Sequence, residues 1–156
     1  MNWKITPGAH FGAEDAPIIG ERLAKLADAG ILTPETVVED ARPDGSPLHD
    51  YFCWDDTEAA RRYRREQARK MIQAIEIIPA EKVEPIRYFH YVRTEHDAGF
   101  ATLDMVRREP AFLTQVIEAA RRELIAWKKK YGQYQELERE VMAIQLAIDA
   151  LAESPR

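Results

Sequence analysis

The sequence predicts a mainly α-helical α+β protein, with a small antiparallel β element between an N-terminal helical module and a C-terminal helical hairpin. Three observations predict it. Two apolar seams near the C-terminus are spaced four then three residues apart, two short helices near the N-terminus carry start and stop signals, and β-branched segments lie between Ile75 and Met105.

From Met1 to Glu14, Trp3, Ile5, Pro7, Gly8 and Phe11 follow no period, so this stretch reads as an extended arm that packs through Trp3 and Phe11. Asp15 is placed to cap a helix with Pro17 in its first turn and Ile18, Ile19, Leu23, Leu26 and Ala27 on its apolar side, stopped by Gly30. Thr33 caps a second helix, Pro34 is preset for its first turn, Val37 and Val38 face inward, and Pro43 and Gly45 end it. In outline the pair is helix-turn-helix-like. Ser46 to Trp54 forms an irregular aromatic connector, most of which is expected to be buried. Asp55 or Asp56 then caps a long helix reaching about Ile75, with Ala60, Tyr63, Gln67, Ala68, Met71, Ile72 and Ile75 on its inner face.

Ile75 to Ile78 reads as a short strand, Ile86 to Arg93 as an alternating one, and His96-Asp97-Ala98-Gly99 as a turn into a strand from Phe100 to Met105, giving a sheet of two or three strands. Pro110 opens the hairpin. Its first seam is Leu113, Ile117, Ala120, Leu124, Trp127 and Tyr131, its second Leu137, Val141, Ile144, Ile148 and Leu151, and Gly132 lets the chain reverse between them. The organisation read from this is an N-terminal arm and helical module over 1–75, with the β element and helical hairpin over 76–156, folded together as one compact unit.

Bulk properties narrow the function classes. A chain of 156 residues that is 46% hydrophobic and 31% charged suits a folded protein with a sizeable core. A net charge of −5 repels nucleic acid at long range, so any contact with it must come from a local basic patch. The single cysteine, Cys53, excludes an intramolecular disulfide and a four-cysteine zinc site, and fits a reducing interior. The first residues lack the apolar run of a signal peptide and nowhere do enough apolar residues follow one another to span a bilayer, so no membrane partner is expected.

Arg61, Arg62, Arg65 and Arg69 fall within about a third of the circumference of the long helix and form the candidate nucleic-acid surface. Guanidinium forks suit phosphates and would make binding salt-sensitive. A solvated, ion-paired face is the competing reading, because Glu58 precedes Arg62 by four residues and Glu66 precedes Lys70 by four. The second N-terminal helix presents Glu35, Thr36, Glu39 and Asp40, a poor set for reading bases between phosphates. Tyr51, Phe52 and Trp54 are the candidate partner-binding residues, on condition that they are exposed. Val116, Ile125, Met142 and Leu146 broaden the apolar surface beyond the seams and are the candidate oligomer interface.

His49 with Asp55 and Asp56, or His90 with His96 and Asp97, can be tried as metal ligands, but neither set has diagnostic spacing. His90 is expected as a packed strand residue and Cys53 as a small buried hydrophobe. No phosphate-binding loop, dinucleotide fingerprint or nucleophile elbow occurs, so the expectation is a protein without catalytic residues, metal or cofactor.

At Leu32-Thr33-Pro34-Glu35, Val37-Val38, Ala41-Arg42, Ser46-Pro47-Leu48-His49, Tyr51-Phe52, Trp54-Asp55-Asp56, Ala59-Ala60, Tyr63-Arg64 and Gln67-Ala68-Arg69, the chain resembles small proteins encoded by tailed bacteriophages and prophages. The resemblance spans residues 18 to 75 and is looser over the helical C-terminus. It implies a context and no activity: phage DNA, a phage particle or a host protein as partner, in the cytoplasm of the bacterial host or in the virion. The expected function is a non-enzymatic phage or prophage protein that oligomerises and engages DNA or a nucleoprotein complex through its N-terminal module. The alternative is a protein-interaction module, either an assembly component or an inhibitor of a host protein.

Overall fold

The computed structural model describes residues 1–54, 57–80 and 83–153. The chain forms mainly helices with two small antiparallel sheets, and it divides into two compact units, Met1–Met105 and Val106–Arg156. The boundary lies thirty residues beyond the one expected after residue 75, because the strands belong with the N-terminal helices.

The stretch read as an irregular arm supplies a strand, β1 (Asn2–Ile5), which pairs antiparallel with β2 (Ile75–Ile78) so that Trp3 stands opposite Ile77. Asn2-Trp3-Lys4-Ile5 lacks the β-branched run that marks β2, and it forms a strand because β2 offers it a ladder. β3 (Ile86–Arg87) extends this sheet on the far side of β2. β4 (Phe89–Arg93) and β5 (Ala98–Thr102) form the second sheet, joined by a turn in which Thr94 accepts from the Asp97 amide at 3.0 Å. β5 ends at Thr102, earlier than expected, and Leu103–Arg108 forms a short helix, α4.

α1 (Ala16–Ala27) lies against β1, β2 and β5 and buries Ile19, Leu23 and Ala27. Asp15 occupies the cap position, but its carboxylate turns back to accept from the Gly12 amide at 2.8 Å instead of capping α1. Gly30, with φ +146, reverses the chain in a conformation few L-residues adopt. Leu32 then bonds Phe100 in both directions, its amide donating at 2.9 Å and its carbonyl accepting at 2.7 Å. α2 (Pro34–Ala41) starts as expected: Thr33 Oγ1 accepts from the Thr36 amide, and Thr36 Oγ1 accepts from the Thr33 amide, each at 3.1 Å. Arg22 of α1 grips Asp40 of α2 with two donors, one of them Nε at 2.8 Å.

α3 (Glu58–Ala74) is capped by Thr57, whose hydroxyl accepts from the Ala60 amide at 3.2 Å. Capping by Asp55 or Asp56 lies outside the described residues. Ala68, Met71 and Ile72 carry the inner face into a core that also holds Leu23, Val37, Leu48, Ile75 and Phe89. Tyr63, expected inside, is 57% exposed, and Arg64 is buried in its place.

In the second unit, α5 (Pro110–Tyr131) and α6 (Glu138–Glu153) pack as the expected hairpin, with Lys128 bonded to Gln145 across it. Gly132 caps α5 with φ −64, a right-handed conformation, and its amide donates to the Lys128 carbonyl at 2.7 Å. No helix among the described residues is long and apolar enough to cross a membrane.

Candidate functional site

The aromatic connector is a packing unit. Phe52 is buried in the core, which removes it from the candidate partner-binding set. Tyr51 is half-buried, edge-on to Phe11, and its hydroxyl donates to Asp15 Oδ1 at 2.8 Å. Burial first, then the hydrogen bond to an anionic acceptor, push the Tyr51 phenol up to about 12. Trp54 donates from Nε1 to the His49 carbonyl at 3.0 Å, stacks on the His49 ring at 5.0 Å, and receives the guanidinium of Arg64 over its face at 5.2 Å. Arg64 Nη1 in turn donates to the Cys53 carbonyl at 2.7 Å. Trp54 and Arg64 thus hold the end of the Ser46–Trp54 segment against α3 and Tyr51 ties it to Phe11 and Asp15, while Tyr51 and Trp54 both stay partly exposed. Cys53 itself is exposed, contrary to the expected buried position, since its neighbours Phe52 and Trp54 take the inward directions.

The four candidate arginines are all exposed along one side of α3. Arg62 lies 3.5 Å from Glu58, Arg65 3.5 Å from Glu35 of α2, and Arg69 3.7 Å from Glu66. Arg61 has no acidic partner among the described residues, and with Arg42 and Arg65 it borders a shallow depression between α2 and α3. α2 does not present its outer residues as a reading head. Glu35 pairs with Arg65, Glu39 with Arg42 at 3.0 Å, Thr36 serves the cap and Asp40 holds Arg22.

Beside this face lies a cleft of about 670 Å³ that no local sequence pattern announced. The Thr6–Phe11 loop forms one wall, where Gly8 takes φ +84, and Tyr63, Gln67 and Lys70 of α3 form the other. Tyr51 and Asp50 contribute from the connector and Arg87 from β3. Residues so far apart in the chain meet because β1 pairs with β2, drawing the loop after β1 over the last turns of α3; the Thr6 amide donates to the Ala74 carbonyl at 2.8 Å. Gln67 Oε1 is buried without a hydrogen-bond partner. Lys70 and Arg87 are offset by Asp50 and Glu66, so the lining is close to charge balance.

The reading of His90 with His96 and Asp97 as a metal site does not assemble. No group of three or more His, Cys, Asp or Glu side chains close enough to share an ion occurs among the described residues. His49 Nδ1 lies 3.0 Å from the Ala41 carbonyl, and the Asp55 and Asp56 arm of that reading lies outside the described residues. His90 is packed on β4, but its Nε2 is buried without a partner, where a satisfied ring was expected. Burial first, then the nearby Arg87 charge, lower its pKa.

In the hairpin unit, Ile125, Met142 and Leu146 are exposed and Val116 is half-buried. Met142 and Leu146 are one turn apart on the side of α6 away from its seam, at 63% and 71% exposure. No family model matches this chain, and no curated protein or solved structure matches it either.

Proposed function

We propose that this protein is a non-enzymatic phage or prophage component that engages nucleic acid through α3 and self-associates through its helical hairpin. The observation that carries the reading is the exposure of Arg61, Arg62, Arg65 and Arg69 along one side of α3. Their ion pairs to Glu58, Glu35 and Glu66 are solvent-exposed at 3.5 to 3.7 Å. Such pairs are worth about 0–1 kcal/mol and are screened by salt, so a phosphate can replace a glutamate at little cost. Self-association would place two arginine faces in one particle and concentrate positive charge locally on a chain whose net charge is −5. The likeness of the Leu32 to Arg69 residues to phage-encoded proteins supports the setting.

The test is a gel-shift titration with random-sequence DNA across a salt series, comparing wild type with the variant carrying Arg→Gln at 61, 62, 65 and 69. Each arginine that meets a duplex phosphate contributes about 0.9 to the slope of log affinity against log salt, so the variant should bind more weakly and with a flatter slope. Unchanged retention by a variant of unchanged helicity rejects the arginine face. A role in binding protein alone is favoured by a different observation, the exposed Met142 and Leu146 of α6. Absence of any shift at micromolar protein and low salt puts that reading first.

A further inference from the structure

We infer that the cleft beside α3 accepts an unstacked nucleobase, so that the preferred ligand is a single strand and not a duplex; this rests on the nucleic-acid reading above. The cleft, about 670 Å³, is within the usual range of small-ligand sites. Three features decide the chemistry of its occupant. First, Gln67 Oε1 is a buried acceptor without a donor. That atom is closed to solvent in the free protein, so the Gln67 side chain must turn into the cleft it lines for a ligand N–H to complete it, and every nucleobase offers one on its pairing edge. Second, the Tyr63 ring stands 57% exposed at the cleft, a large aromatic surface left uncovered by the fold although its sequence position suits the inner face. An exposed ring beside a groove is a stacking platform that tolerates any base. Third, Lys70 and Arg87 are balanced by Asp50 and Glu66 in the lining. A phosphate gains little there, whereas a neutral planar group enters without an electrostatic cost.

The geometry of α3 joins the two surfaces. At 100° per residue, the exposed arc runs from Arg61 and Arg65 through Arg69 and Arg62 to Glu66, Lys70 and Tyr63, with Gln67 next round the helix on the cleft side. A strand whose phosphates follow the arginines would therefore bring a base to Tyr63 and Gln67. Glu66, at the join, keeps phosphates on the arginine side. A duplex can use the arginines but holds its bases stacked and paired, out of reach of the cleft.

Fluorescence anisotropy with a labelled mixed-sequence single-stranded oligonucleotide, and with the same strand annealed to its complement, tests this. Wild type should bind the single strand about tenfold more tightly than the duplex. Tyr63→Ala and Gln67→Leu should each abolish most of that preference while leaving duplex binding as it was, and the four-arginine variant should weaken both. Tyr63 is exposed, so its variant keeps the fold even if the Gln67 variant does not; matching thermal unfolding of Tyr63→Ala and wild type checks this. Equal affinity of wild type for the two forms, or a single-strand preference untouched by Tyr63→Ala, overturns the cleft inference and leaves the arginine face standing. Failure of wild type to bind either form at low salt overturns both.

Discussion

Tyr63 and Arg64 are neighbours on α3, and the fold exposes the apolar one and buries the charged one. Helical periodicity puts both near the edge of the inner face, and hydrophobicity then favours the tyrosine. The fold chooses otherwise because Arg64 finds the Cys53 carbonyl and the Trp54 ring, partners supplied by a segment that periodicity does not address. A buried arginine so held contributes through its partners, and removing it would strand the Cys53 carbonyl and uncover Trp54. The positions of Ala68, Met71 and Ile72 on the inner face of α3 were legible in the sequence because size and apolarity decide them. The status of Tyr63, Cys53 and Gln67 was not, since it depends on which distant residue arrives beside them. His90 makes a further residue-scale prediction. Its folded-state pKa is lowered from 6.5 by burial and by Arg87, so the unfolded chain takes up the proton more readily. Stability is then greatest above pH 6.5 and declines as the pH falls below that value toward the folded-state pKa. His90→Gln, neutral throughout, should flatten this decline in urea titrations run between neutral and mildly acidic pH; an unchanged slope would assign it to other groups.

Helices with strong signals at both ends were readable as elements, and so was the β-branched strand Ile75–Ile78, whereas β1 was not. α2 is the best case, because Thr33, Pro34 and Thr36 each act locally and need nothing from the rest of the fold. α3 and the hairpin followed from long apolar periods. β1 failed the same reading because Asn2-Trp3-Lys4-Ile5 has no β-branched run; its register comes from β2, seventy residues or more away in the chain. That long-range pairing also builds the cleft, which is why the candidate site was half legible, its arginine face visible in the sequence and its cleft hidden. Gly20 shows how tightly β1 is seated. A Cβ there would overlap the Trp3 ring, and Trp3 in turn meets Tyr88 edge-on at 5.0 Å. In an open helix Gly→Ala stabilises by about 1 kcal/mol, so the expected sign here is reversed. Gly20→Ala should destabilise by about 1–3 kcal/mol in chemical denaturation, the usual range for overpacking. Adding Trp3→Leu should make the second change cost less than it does alone, because the two sites share one volume. Additive losses would mean that the ring does not rest on α1.

At the scale of the whole molecule, the two units differ in how completely they bury their apolar residues. The N-terminal unit encloses a core running through all three of its longer helices and both sheets. Among the described residues of 106–156, only Val106 and Ile148 are buried, although the hairpin carries two apolar seams. Leu113, Ile125, Met142 and Leu146 remain exposed. A helix that is apolar on two sides gains stability by covering the second, and a second copy of the same helix is a partner present at the protein's own concentration. Arg139 lies near the start of α6 and Asp149 near its end, flanking Met142 and Leu146, so antiparallel pairing of two α6 helices sets opposite charges side by side at both ends. Leu146→Glu introduces like charges at the centre of that pairing while altering a side chain that is 71% exposed in the single chain. Light scattering should then give a dimer mass for wild type and a monomer mass for the variant. The melting temperature of wild type should rise with protein concentration and that of the variant should not, because association stabilises only the folded state. A wild-type monomer at every concentration would confine both seams to their own hairpin and leave the arginine face to act singly.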